Sequence, residues 1–71
     1  MYLVLAIYGG VPDLDNTRLF KDIHADQALQ HAKRLVIEKE LKLPEDDSKF
    51  YNGVGDDIGE IHIQILEVEA E

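Results

Sequence analysis

The chain opens on Met-Tyr-Leu-Val-Leu-Ala-Ile-Tyr, eight residues that are apolar at both parities. Successive side chains of a strand point to opposite faces. Met1, Leu3, Leu5 and Ile7 therefore go to one side, and Tyr2, Val4, Ala6 and Tyr8 to the other. A strand apolar on both faces sits centrally and needs cover on both sides, from its own chain or from a partner. The chain has only 71 residues to supply that cover. A domain of this size buries about 60% of its unfolded surface, and small folds offset the shortfall with disulfides, metal or self-association. There is no cysteine, which excludes disulfides and thiolate metal sites and suits a reducing compartment. The apolar opening is too short for a membrane span, has no basic stretch before it, and runs into Gly9-Gly10-Val11-Pro12 instead of a small-residue cleavage site. A cytoplasmic protein with no membrane association is expected.

Gly9, Gly10, Pro12, Asp13, Asp15 and Asn16 mark a loop, and Thr17 to Ile23 reads as a short second strand whose Arg18 and Lys21 suit a sheet edge. A helix follows, with Asp26 as N-cap. Ala25, Ala28, Leu29, Ala32, Leu35 and Val36 fall within an arc of roughly 120°, one core-facing stripe. Ile37 and Leu41 lie to a different side, and Leu43-Pro44 ends the helix. The connection 44–57 is long for so small a domain. It contains Asn52-Gly53, a turn signal that predicts a short extra hairpin within 48–56. Ile58 to Val68 alternates as a last strand, with Ile61, Ile63 and Ile65 facing one way. At Ile65-Leu66 the pattern shifts, which predicts either a bulge or burial on opposite faces at the strand's two ends.

Assembled, residues 1–71 are expected to form a single α+β domain of ββαβ type. Its three-stranded sheet has spatial order 2-1-3, because the all-apolar first strand belongs in the middle and a right-handed crossover makes the last strand parallel to the second. One helix covers one face. The other is expected to show Tyr2, Val4, Tyr8, Phe20, His62, Leu66 and Val68, a patch large enough to mark a contact site.

The net charge of −8 is unevenly spread. Met1 to Leu43 is balanced, whereas Pro44 to Glu71 holds one base, Lys49, against nine acids and so carries the whole excess. Direct nucleic-acid binding is disfavoured, since that affinity comes from Lys and Arg releasing counterions from phosphate. The same excess argues against base stacking on Tyr2, Tyr8 and Phe20 as in single-stranded RNA binders. A basic protein partner is favoured, alongside plain solubility.

Motifs for chemistry are thin. Asp13-Leu14-Asp15-Asn16-Thr17 resembles the D-x-D-x-T box of haloacid-dehalogenase-type phosphatases over these five residues. In that family the first Asp is a nucleophile, the second an acid/base, and the box sits at a strand's end in a much larger domain with a distant Lys and Mg²⁺-binding acids. Here Gly9 to Pro12 separate strand and box, and an Asp/Asn-rich turn explains the same letters. Asp46-Asp47, Asp56-Asp57 and Glu60 offer hard oxygen ligands but fit no EF-hand spacing. His24, His31 and Glu38 recur along one helix side about 10 Å apart, too far to share an ion, and read as an exposed edge. Glu60 and His62 are same-face strand neighbours, more often sheet decoration than an acid/base pair. Gly9-Gly10 lacks the Lys and helix N-terminus of a P-loop.

The reading is of a non-enzymatic interaction protein without metal or cofactor. It is expected to be a homodimer joined through Tyr2, Val4, Tyr8, Phe20, Leu66 and Val68, or through Ile37 and Leu41. Glu45, Asp46, Asp47, Asp56, Asp57 and Glu60 would be presented to a basic, nucleic-acid-binding partner as an inhibitor or regulator does. The rival reading is a homo-oligomeric ligand-binding or catalytic assembly, with a pocket between copies lined by Tyr2, Tyr8, Phe20 and His62.

Overall fold

The apolar opening forms the central strand of an antiparallel sheet. In the computed structural model, which describes residues 1–56 and 59–69, the elements are β1 (Tyr2–Tyr8), β2 (Val11–Pro12), β3 (Arg18–Phe20), α1 (Ala25–Glu38), β4 (Val54–Gly55) and β5 (Ile61–Glu67). Short 3-10 helices occupy Asp22–His24 and Asp47–Asn52. The fold is α+β. β1 pairs with β5 along one edge and with β2 and β3 along the other, while β4 adds to the far side of β5. The order β3-β1-β5 is the expected 2-1-3, and β3 and β5, each antiparallel to β1, run parallel to one another. The two-residue strands β2 and β4 bring the described strands to five.

The upstream edge of β1 is broken in two by a turn. Gly9 and Gly10, at φ 61° and 79°, make a two-residue hairpin to β2 in the left-handed region that matches strand twist. The chain then leaves the sheet at Asp13 and returns at Arg18. Across the gap the Ala6 N–H donates to Thr17 Oγ1 at 3.1 Å, and the Ala6 carbonyl accepts from the Asp13 N–H at 2.8 Å and the Thr17 hydroxyl at 3.4 Å. Within the turn, Asn16 Nδ2 donates to Asp13 Oδ2 at 2.6 Å, and the Asn16 and Thr17 N–H groups donate to the Asp13 carbonyl. The D-x-D-x-T letters serve as a sheet patch.

The core lies between the sheet and α1. Val4 and Ala6 of β1, Ile63 and Ile65 of β5, and Ala28, Ala32, Leu35 and Val36 of α1 are buried. Phe50 fills the rest from the 3-10 helix Asp47–Asn52. That helix replaces the first arm of the hairpin expected within 48–56. Its tight turn delivers Phe50 to full burial, and only Val54–Gly55 reaches the sheet. Asn52-Gly53 closes the turn, with Gly53 at φ 90°. β5 pairs without a bulge throughout, so the shift at Ile65-Leu66 reflects burial on opposite faces.

α1 ends earlier than Leu43. The Leu41 N–H donates to the Val36 carbonyl at 2.9 Å and the Glu40 N–H to the Ile37 carbonyl at 3.0 Å. Glu40 at φ 58° occupies the left-handed position of a Schellman cap. The cap folds Leu41 back onto the core, which removes it from the self-association surface expected of it. Ile37 stays 61% exposed.

Two stability outcomes follow from this packing. Glu40→Gly relieves the side-chain clash of the left-handed cap and raises unfolding stability by about 1 kcal/mol, read from the urea midpoint. Phe50→Ala empties the largest fully buried site and costs about 3–5 kcal/mol, read from the same curve.

Candidate functional site

Because Val4 and Ala6 point into the core, alternation sends Leu3, Leu5 and Ile7 to the opposite face of β1. The register sets Leu3 opposite Leu66, Leu5 opposite Gln64 and Ile7 opposite His62, with Leu19 of β3 on the other side of Leu3. These positions carry no charge. α1 and the 3-10 helix bearing Phe50 both pack on the other side, and among the described residues no helix covers this one. Leu19 is 53% exposed, and Leu3, Leu5, Ile7 and Leu66 are half-buried by one another and by the strands. At the β4 end His62 Nε2 donates to Gln64 Oε1 at 3.3 Å, and Gln64 Nε2 donates to the Tyr51 carbonyl at 3.1 Å. The imidazole lies where a Cβ on Gly53 would be, so that glycine is required twice over.

The open face is therefore apolar, but it uses the other parity of β1. Val4 is fully buried, and Tyr2 and Phe20 pack at the margin of the covered core. None of the three is on the open face expected of them, and neither is Tyr8, which shares the parity of Val4 and has Lys39 of the α1 end over its ring. Leu66 is, and by the same alternation Val68 follows it. The physical reason is volume. Ala6 and Val4 let Ala28 and Ala32 bring α1 close to the sheet, whereas leucine and isoleucine at those positions would hold it away.

The four residues of the rival pocket are dispersed. Tyr2 and Tyr8 lie at opposite ends of β1, about 20 Å apart at the strand rise. Tyr2 meets Tyr51 edge-on at 6.5 Å, and Phe20 tilts against His31 at 5.7 Å. Tyr8, 56% exposed, has Lys39 Nζ 5.0 Å from its ring centre. His62 is on the other face. Glu67, opposite Tyr2 in the ladder, is the main influence pushing the Tyr2 phenol above its ordinary value, with burial second.

Several acids of the 44–57 segment serve the fold. Asp46 caps the 3-10 helix, accepting from the Ser48 N–H at 3.0 Å, and that hydrogen bond holds its carboxyl below the usual carboxylate range. Asp47 pairs with Lys33 of α1 at 3.0 Å. Asp56 Oδ1 accepts from the Glu60 N–H at 2.8 Å and the Ile61 N–H at 3.4 Å, tying down the start of β5. Glu45 and Glu60 are exposed. Asp57, Ile58 and Glu71 lie outside the described residues. Among the described residues no group of three or more His, Asp or Glu is placed to hold a metal ion, and no helix is long and apolar enough to cross a membrane.

His31 is the residue the helical reading misplaced. It is 7% exposed, not on an outer edge with His24 and Glu38. Its position one turn before Leu35 and three residues after Ala28 already placed it beside the apolar stripe. Comparison with protein-family models, curated proteins and solved structures gives no match.

The Asp46 cap has a pH signature. Its carboxyl is more acidic in the folded chain than in the unfolded one, so its contribution is present above the ordinary carboxylate pKa of about 4 and is lost as pH falls through the folded value. Asp46→Ala is expected to lower the melting temperature at neutral pH, and the gap to wild type narrows in acid.

Proposed function

We propose that this protein is a small acidic interaction module that self-associates through its open sheet face and offers its outer carboxylates to a basic protein partner. The uncharged apolar face formed by Leu3, Leu5, Ile7, Leu19 and Leu66 is the observation that carries the reading. Contiguous apolar surface of this kind marks contact sites. A second copy suits it for two reasons. The five side chains that form it carry no charge that a partner would have to compensate, so two chains of net charge −8 can meet on them without burying a carboxylate. The intramolecular core is also small, and a sheet covered on both sides is the arrangement a strand apolar at both parities calls for. Asp47, paired with Lys33 of α1, lies on the covered side, outside such an interface. The cost of association is repulsion between like-charged subunits, which salt screens.

Solution mass by light scattering checks this. Wild type is expected at twice the chain mass, with association tightening as salt is raised. Leu5→Lys and Leu66→Lys, each at a solvent-side position of the isolated chain, are expected to give the single-chain mass with helix content unchanged. A wild-type monomer at every concentration, or variants that stay dimeric, would overturn the proposal.

A further inference from the structure

The helix-covered side carries a second surface of opposite character. Between β3 and α1 lies an open cleft of about 410 Å³ lined by Arg18, Phe20, Gln27, Gln30, His31 and Arg34. Its volume is within the range of small-ligand sites. In a chain of net charge −8 its lining holds two arginines, two carboxamides and no carboxylate.

The floor is built, not incidental. His31 is buried, its ring lies against Phe20 with centres 5.7 Å apart, and its two nitrogens are both engaged. Nε2 donates to the Asn16 carbonyl at 2.7 Å, which leaves Nδ1 to accept from Arg34 Nη2 at 3.1 Å. The turn 13–17 thereby fixes the imidazole, and the imidazole fixes the guanidinium. Glu38 approaches Arg34 Nε from the next turn of the helix at 3.7 Å. Arg18 faces the same cleft from β3 and makes no ion pair among the described residues. One guanidinium is thus held in place and the other is free to close on a ligand.

We infer that this cleft binds a small phosphomonoester with a flat apolar body. The dianion would sit between Arg18 and Arg34, each offering the forked N–H pair that matches phosphate oxygens. Phe20 supplies an apolar surface for the body, and Gln27 and Gln30 supply neutral hydrogen-bonding groups at the rim. A monocarboxylate brings half the charge to two guanidiniums and is the poorer fit. The site lies on the opposite side of the sheet from the proposed dimer face, so it stands or falls independently of that reading.

Phenyl phosphate is the simplest probe, titrated against the full chain and followed by backbone amide shifts. Saturable shifts confined to Arg18, Phe20 and the 27–34 stretch are expected. Inorganic phosphate and benzoate should each bind at least tenfold more weakly. R18Q, at an exposed strand position, and R34Q should each weaken phenyl phosphate at least tenfold, while K21Q, outside the lining, leaves it unchanged. Absence of saturable shifts, equal binding of benzoate, or equal loss in K21Q would overturn the assignment and leave only diffuse charge attraction.

Discussion

Seven consecutive pairs join β1 to β5, from Tyr2 opposite Glu67 to Tyr8 opposite Ile61, and the rest of the molecule depends on that register. It sets Val4 beside Ile65 and Ala6 beside Ile63, so one face of the two central strands presents a small, branched surface. α1 lies on that surface with Ala28 and Ala32, and Phe50 fills the space beside it. A slip of β5 by one residue would turn His62, Gln64 and Leu66 under the helix and expose its isoleucines. The same pairing lines up Leu3 with Leu66 on the other side. The buried core and the open apolar face are thus two consequences of one ladder.

The second edge of β1 shows how little chain is needed to protect a sheet. β2 and β3 together supply only five residues, separated by a turn that the backbone alone cannot bridge. The Thr17 hydroxyl and the Asp13 N–H satisfy the Ala6 backbone groups instead. Unpaired edge groups would otherwise template another strand. The turn also carries a long-range role, because the Asn16 carbonyl holds His31 and so sets the orientation of Arg34. A segment whose letters resemble a catalytic box works here as a hydrogen-bonded link between sheet and helix.

Charge and apolar surface are separated in space. The apolar positions of the open sheet face carry no charge, six acids lie in the segment 44–60, and the two cleft arginines are on the helix side, Arg34 beside Glu38. Three acids of that segment, Asp46, Asp47 and Asp56, hold a 3-10 helix, an interelement ion pair and the start of a strand. Their presence follows from a connection that must turn twice with little apolar material. Part of the negative excess is therefore explained by local structure, while Glu45 and Glu60 are exposed.

The sequence by itself determined the element types that repeat a clear period: a central apolar strand, a helix with Ala28, Ala32 and Leu35 on its inner face, and an alternating last strand. These follow from local geometry, since a 2.0 or 3.6 repeat is written directly in side-chain spacing. The order of the three main strands followed as well, because only the central place accepts a strand apolar on both faces. Tertiary structure alone decided which of those two faces the helix takes. Both parities of residues 1–8 are apolar, so polarity cannot choose, and the choice rests on how closely Ala6 and Val4 let α1 approach. It likewise decided that Phe50 enters from a 3-10 helix, that Leu41 folds back through Glu40, and that His31 is buried against Phe20. Each depends on volume and hydrogen bonding between segments distant in sequence, which no local repeat encodes.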